Sequence, residues 1–246
     1  MLEWTREKKA GSDDMNSTPV KWLTYLLPRL RCGARAELAL CLVMSVGSVR
    51  AQAWEVVLEA GDLQVWQRPY AGSSLNEIRG ELSVRASLNA LMALLKDAPF
   101  NRHWVYRSGG ARILEESGYE QAYVYGIVDA PWPMHDRDTV VRFDYEQHPE
   151  TQAITIGITN FPDYLPRQGD FVRVPDFGGF WKLEPREGGR VTVTYQVHGD
   201  PGGWIPVWIA NRAAEVSVIN TLRNLPSVVG RYEGVRSEFV EELAGD

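Results

Sequence analysis

The sequence predicts an α+β fold in which one curved antiparallel sheet packs on a long C-terminal helix. Two observations carry this. From residue 54 to about residue 198, apolar residues recur with the period of two that sends alternate side chains to opposite faces of a strand. From Pro206 to about Leu243 the period is helical: Val218, Leu222, Leu225, Val229, Tyr232 and Phe239 recur at intervals of three, four and seven. One core serves both blocks if the sheet grips the helix, and that arrangement leaves a space between them.

The elements follow in order. Leu63-Gln64-Val65-Trp66-Gln67 alternates, as does Leu75 to Val84, with Gly61-Asp62 and Ala71-Gly72-Ser73-Ser74 as turns. Ser87 is a good N-cap, because its hydroxyl accepts an orphan backbone N–H. Leu88, Leu91, Met92, Leu94 and Leu95 then give a short helix an apolar face, and Pro99 ends it. Strands are expected at 105–116 and 119–128 around Ser117-Gly118, at 138–147 and 152–159, near 171–175, and at 179–184 and 190–198. Glu187-Gly188-Gly189 reads as the turn of the last hairpin. Pro206 suits a helix start, where a missing N–H is no loss. Pro226, inside the helical pattern, should kink it.

Composition sets limits. The chain has 246 residues, net charge -6 and 24% charged residues, which is ordinary for a globular protein. The acidic balance argues against a nucleic-acid binder. Residues 1–53 hold 8 Lys+Arg against 5 Asp+Glu, whereas residues 54–246 hold 18 against 27. In the leader, Arg29, Arg31 and Arg35 precede the apolar run Leu38–Val46, and Ala51-Gln52-Ala53 follows. Basic region, short apolar core and small residues around the cut make a secretory signal, cleaved before Trp54. The long basic region points to translation starting downstream of Met1. The expectation is therefore 1–53 as leader and 54–246 as one exported domain, periplasmic or secreted and monomeric. The alternative is a cytoplasmic protein that keeps an amphipathic N-terminal helix. Both cysteines, Cys32 and Cys41, lie in the leader, so residues 54–246 contain neither a thiol nucleophile nor a cysteine ligand.

Patterns for chemistry are sparse. His103, His135, His148 and His198 are far apart in sequence, and none forms a His-x-x-x-His pair. No Gly-x-Ser-x-Gly elbow occurs. No catalytic residue, metal or cofactor is expected. His135-Asp136 reads as a solvated turn before a general base with its partner.

Four segments resemble one family. They are Trp54 with Val65-Trp66-Gln67-Arg68; Pro131-Trp132-Pro133-Met134-His135-Asp136-Arg137-Asp138; Gly179-Phe180-Trp181-Lys182-Leu183-Glu184-Pro185; and Asp200-Pro201-Gly202-Gly203-Trp204-Ile205-Pro206 followed by Trp208 and Asn211. In this order and spacing, over residues 54–243, they resemble the START family, the steroidogenic-acute-regulatory-related lipid-transfer domains. The resemblance implies a helix-grip fold enclosing a hydrophobic tunnel for one lipid, sterol or other apolar molecule, gated by the C-terminal helix and nearby loops. Most members bind or carry and do not catalyse. The alternatives are an enzyme on the same fold, cyclase- or hydrolase-like, and an envelope lipid sensor that does not transfer.

On that reading Tyr106, Tyr123, Tyr125, Trp181 and Tyr195 are candidate tunnel residues on strands; each can equally fill core or stand outside. Trp132 is a candidate for gate or transient membrane contact, or a loop plug. Trp208, Asn211, Glu215, Val218 and Leu222 form the helix stripe facing the sheet. Asn211 is its polar member, orienting a ligand group or bonding a strand. Arg137-Asp138 faces a headgroup or, by the preferred reading, is structural, with Asp138 capping the loop and Arg137 pairing a carboxylate.

Overall fold

The computed structural model describes residues 53–242. Residues 1–52 of the expected leader, as well as the expected helix end at Leu243, lie outside them. β1 (Glu55–Ala60), β2 (Leu63–Pro69) and β3 (Asn76–Arg85) form an antiparallel meander. α1 (Leu88–Lys96) follows, and Ser87 caps it as expected: its Oγ accepts the Ala90 N–H at 3.1 Å. The helix stops before Pro99, and Ala98–His103 is a 3-10 helix whose Phe100 N–H bonds Asp97 Oδ1 at 3.1 Å.

Next come β4 (Ser108–Ser117), β5 (Gln121–Val128), β6 (Arg137–Gln147), β7 (Ile154–Asn160), β8 (Val172–Arg173), β9 (Asp176–Arg186) and β10 (Arg190–Asp200). Nine strands run in the order β1-β2-β3-β10-β9-β7-β6-β5-β4, all neighbours antiparallel, and the sheet is not closed. The two-residue β8 pairs with β6, and does so in parallel. Regular alternation and hairpin turns made these strands legible; the right-handed twist of neighbouring strands supplies the curvature.

α2 (Val207–Val228) lies on β3. The contact is tight because β3 offers a glycine there. A Cβ on Gly80 would stand 2.8 Å from Val218 Cγ1 and collide with Leu222 Cδ1. Pro206 is the N-cap, one place before the expected start. Pro226 stands in the last turn, and the α-helix gives way at Val229–Tyr232 to a 3-10 helix. Proline removes an N–H and crowds the carbonyl four residues back, so the helix ends well short of Leu243 rather than bending onward.

The apolar residues beyond Tyr232 dock instead of coiling. Phe239 stacks on Tyr119. Asn89 Oδ1 accepts the Ser237 N–H at 2.7 Å, and Gln147 and Glu241 exchange two hydrogen bonds at 2.8 and 3.0 Å. The Glu242 carboxylate accepts the Leu88 and Asn89 N–H groups at 3.2 and 2.8 Å, placing an anion on the positive end of α1. The tail thus straps α1 to the far end of β6.

Candidate functional site

The register of the sheet assigns its faces. Gly80 meets α2, so its face is the inner one. Across the ladders Gly80 pairs with Tyr195, Tyr195 with Trp181, Trp181 with Ile156, and Ile156 with Tyr145. This row runs across five strands from the helix contact to the opposite wall. Trp181 and Tyr195 stack with ring centroids 3.8 Å apart, and Trp104 stands 6.1 Å from Trp181. Phe143, Ile158 and Val193 flank the row on the same face. Burial alone holds the Tyr195 hydroxyl well above the usual tyrosine pKa, and burial with the nearby Glu116 carboxylate does the same for Tyr145.

Trp104 is 2% exposed, and its segment is tied to α2 by two hydrogen bonds. Its carbonyl accepts the Asn224 side-chain N–H of α2 at 2.9 Å, and two residues on, the Tyr106 N–H bonds Thr221 Oγ1 at 3.1 Å. The Trp104 indole Nε1 is itself buried and finds no acceptor.

One end of the molecule carries exposed tryptophans. Trp132 is 93% exposed, Trp204 91% and Trp208 72%. Arg137 ties their loops together: it donates to the His135 carbonyl of one and, at 3.4 Å, to the Pro201 carbonyl of the other. Trp208 lies in the first turn of α2, which leads directly from that second loop.

The outer face has its own cover. The segment between β7 and β8 lies over β5 and β6, with Tyr164 stacked on Tyr123 at 4.5 Å and Phe161 edge-on to it. Beneath it is a buried ion pair. Arg173 grips Asp138 through two bonds of 2.9 Å, donates to the carbonyls of Pro162, Leu165 and Pro166, and leaves Asp138 to accept the Tyr125 hydroxyl at 3.2 Å. A hollow of about 450 Å³ opens beside Arg173 among Pro162, Asp163 and Pro166. Another of about 590 Å³ lies by Asp144, Glu146 and Thr155. Neither is lined by Trp181, Tyr195 or Ile156; the second borders the row only at its end, Tyr145. Among the described residues no group of His, Cys, Asp and Glu could hold a metal ion.

No family model matches the chain. A solved STAR-related lipid transfer protein of Xanthomonas axonopodis is 36% identical, covers 72% of this chain and 98% of its own, and superposes with a TM-score of 0.67. The chain belongs to the STAR-related lipid transfer family. An uncharacterised protein of Pseudomonas aeruginosa is 31% identical over 181 residues, 74% of this chain and 89% of the relative. Mouse phosphatidylcholine transfer protein is 22% identical over 198 residues, 78% of this chain and 91% of its own. Human StAR-related lipid transfer protein 5, 20% identical with a TM-score of 0.65 over 73% of this chain and 87% of its own, shares the START fold.

Within this START domain the expected site residues separate. Trp181 and Tyr195 meet on the inner wall, and Val218 and Leu222 face the sheet. These last two press on Gly80, so at that level helix and sheet are in direct contact. Tyr123 and Tyr125 are corrected to the outer face, opposite the helix. They pair with Arg142 and Val140; the loop above covers Tyr123, and Arg112 lies over the Tyr125 ring. Tyr106 is corrected to the turn before β4, since that strand begins at Ser108. Asn211 belongs to packing: its Oδ1 accepts the Asn76 N–H at 2.9 Å, stapling α2 to the start of β3. Glu215 pairs with Arg212 at 2.7 Å. Trp132 packs on nothing and is no plug. Asp138 is structural, but through Arg173; Arg137 bonds carbonyls and no carboxylate. His135 is exposed, and Asp136 accepts the Ala130 N–H at 2.8 Å, closing the loop.

Trp104 and Arg173 escaped the sequence reading. Trp104 sits in a short segment without periodicity. Arg173 reaches a partner 35 residues away, brought close by a two-residue parallel pairing.

Proposed function

We propose that this protein binds one apolar small molecule, a lipid or sterol-like compound, in a tunnel between its sheet and α2, and carries it between membranes. The observation that supports this most is the inner wall, an aromatic and aliphatic row from Tyr195 to Tyr145 in a family of lipid transfer proteins. Ligand sites run about 300–1,000 Å³. At roughly 24 cal/mol per Å³, an empty apolar space of that size costs about 7–24 kcal/mol, against a net stability of about 5–15 kcal/mol. A tunnel of this kind is therefore filled or collapsed.

The exposed Trp132, Trp204 and Trp208 suit transient contact with a bilayer surface, where an indole keeps its ring in the acyl region and its N–H among headgroups. No helix among the described residues is long and apolar enough to cross a membrane. Export of residues 54–246 as a monomeric carrier in the periplasm or medium completes the reading. Carriage requires burial and a gate but no proton transfer.

The test is transfer of a fluorescent lipid between donor and acceptor liposomes, with the lipid re-extracted afterwards. The expected result is protein-dependent transfer with the lipid chemically unchanged. A converted product would favour the enzyme reading, and uptake without release would favour the sensor.

A further inference from the structure

The wall holds one group that its own packing does not explain. Trp104 Nε1 is a buried donor without an acceptor. Leaving such a donor unpaired costs about 1–3 kcal/mol, and nearly all buried N–H groups in folded proteins are satisfied. Its neighbour across Trp181, the half-buried Tyr195, adds a second donor: its hydroxyl makes no hydrogen bond to any described residue. Both are neutral, and they belong to one aromatic run on the face turned toward α2.

The surroundings restrict what these donors can meet. The inner residues through the middle of β3, β10, β9, β7 and β6 are apolar, glycine or tyrosine; Ile78, Val193, Trp181, Ile156 and Phe143 are typical. On the sheet's inner face, charge stands at the two ends. Arg137, at the tryptophan end, is committed to the carbonyls of His135 and Pro201. At the other end Lys96 pairs with Glu116 at 2.8 Å. A phosphate brought into the middle would lose its hydration and find no counter-charge, which is prohibitive. An uncharged oxygen needs only donors.

We infer, resting on the carrier reading, that Trp104 and Tyr195 hold the polar end of the bound molecule, and that this end is an uncharged oxygen: a hydroxyl, ketone or ester carbonyl of a neutral lipid. The site selects against phospholipids by what it lacks at mid-wall and fixes orientation by the two N–H and O–H donors.

The experiment compares wild type, Trp104→Phe and Tyr195→Phe for uptake of three probes: diphenylhexatriene, a pure hydrocarbon; dioleoylglycerol; and dioleoylphosphatidylcholine. Each substitution keeps an aromatic ring and deletes a donor, and melting curves confirm that each variant folds. Wild type should prefer dioleoylglycerol to the phospholipid. Each variant should bind dioleoylglycerol about tenfold more weakly, the equivalent of one hydrogen bond, with diphenylhexatriene unchanged. A merely structural role would weaken both probes together and overturns the inference. So does a phospholipid bound as tightly as dioleoylglycerol, or dioleoylglycerol binding unaltered in both variants. In each of these cases the carrier reading stands. Wild type that takes up none of the three removes the carrier reading itself, and this inference with it.

Discussion

Arg173→Met is expected to lower the melting temperature by about 10 °C. The side chain is almost wholly buried, and its removal leaves Asp138, which is fully buried, as an uncompensated charge. Breaking a buried pair from one side costs about 3–5 kcal/mol, and each kcal/mol shifts a domain of this size by about 2–4 °C. The double variant Asp138→Leu with Arg173→Met should recover part of the loss, because no lone charge remains. It should not recover all of it: the carbonyls of Pro162, Leu165 and Pro166 still lose their donor and the loop its clamp. Thermal melts of the three proteins check this. Equal stability of wild type and Arg173→Met would show that the loop over the outer face contributes nothing to the fold.

Replacing Trp132, Trp204 and Trp208 together with Ala is expected to weaken vesicle association about a hundredfold while leaving the melting temperature almost unchanged. The three rings are largely solvated, so the folded state loses little packing. If each inserts into a bilayer and contributes about 1 kcal/mol, the sum of about 3 kcal/mol corresponds to that factor. Co-sedimentation with liposomes and the lipid-transfer rate should fall together. A variant that transfers lipid as fast as wild type would move the docking surface elsewhere.

The order of strands and helices was legible because local signals set it. Ser87 capped its helix, Gly-containing turns separated the strands, and Pro206 preceded α2. The face of each strand was not legible. Period two divides Tyr123 from Val124 but does not say which looks toward the helix; Gly80 under Val218 and Leu222 decides that, and a glycine leaves no trace in a hydrophobic pattern. The loop between β7 and β8 made the ambiguity worse, since it half-buries residues that belong to the outer face. Helical spacing misled beyond Val228 for a related reason. Phe239 is apolar because it stacks on Tyr119, not because it continues a helix. The ion pair of Asp138 and Arg173 and the orphan donor of Trp104 depend on contacts distant in sequence, which no local pattern encodes. The family resemblance supplied the tunnel as an expectation, and the inner row of Tyr195, Trp181, Ile156 and Tyr145 is the feature of this chain that supports it.

The most direct measurement is the native mass of the protein purified from its source cells without added lipid or detergent. The expected result is a 1:1 complex: the mass of the chain plus one apolar molecule, released by organic extraction and recovered without chemical change. A preparation that shows only the bare chain, and that also fails to take up lipid from liposomes, would contradict it.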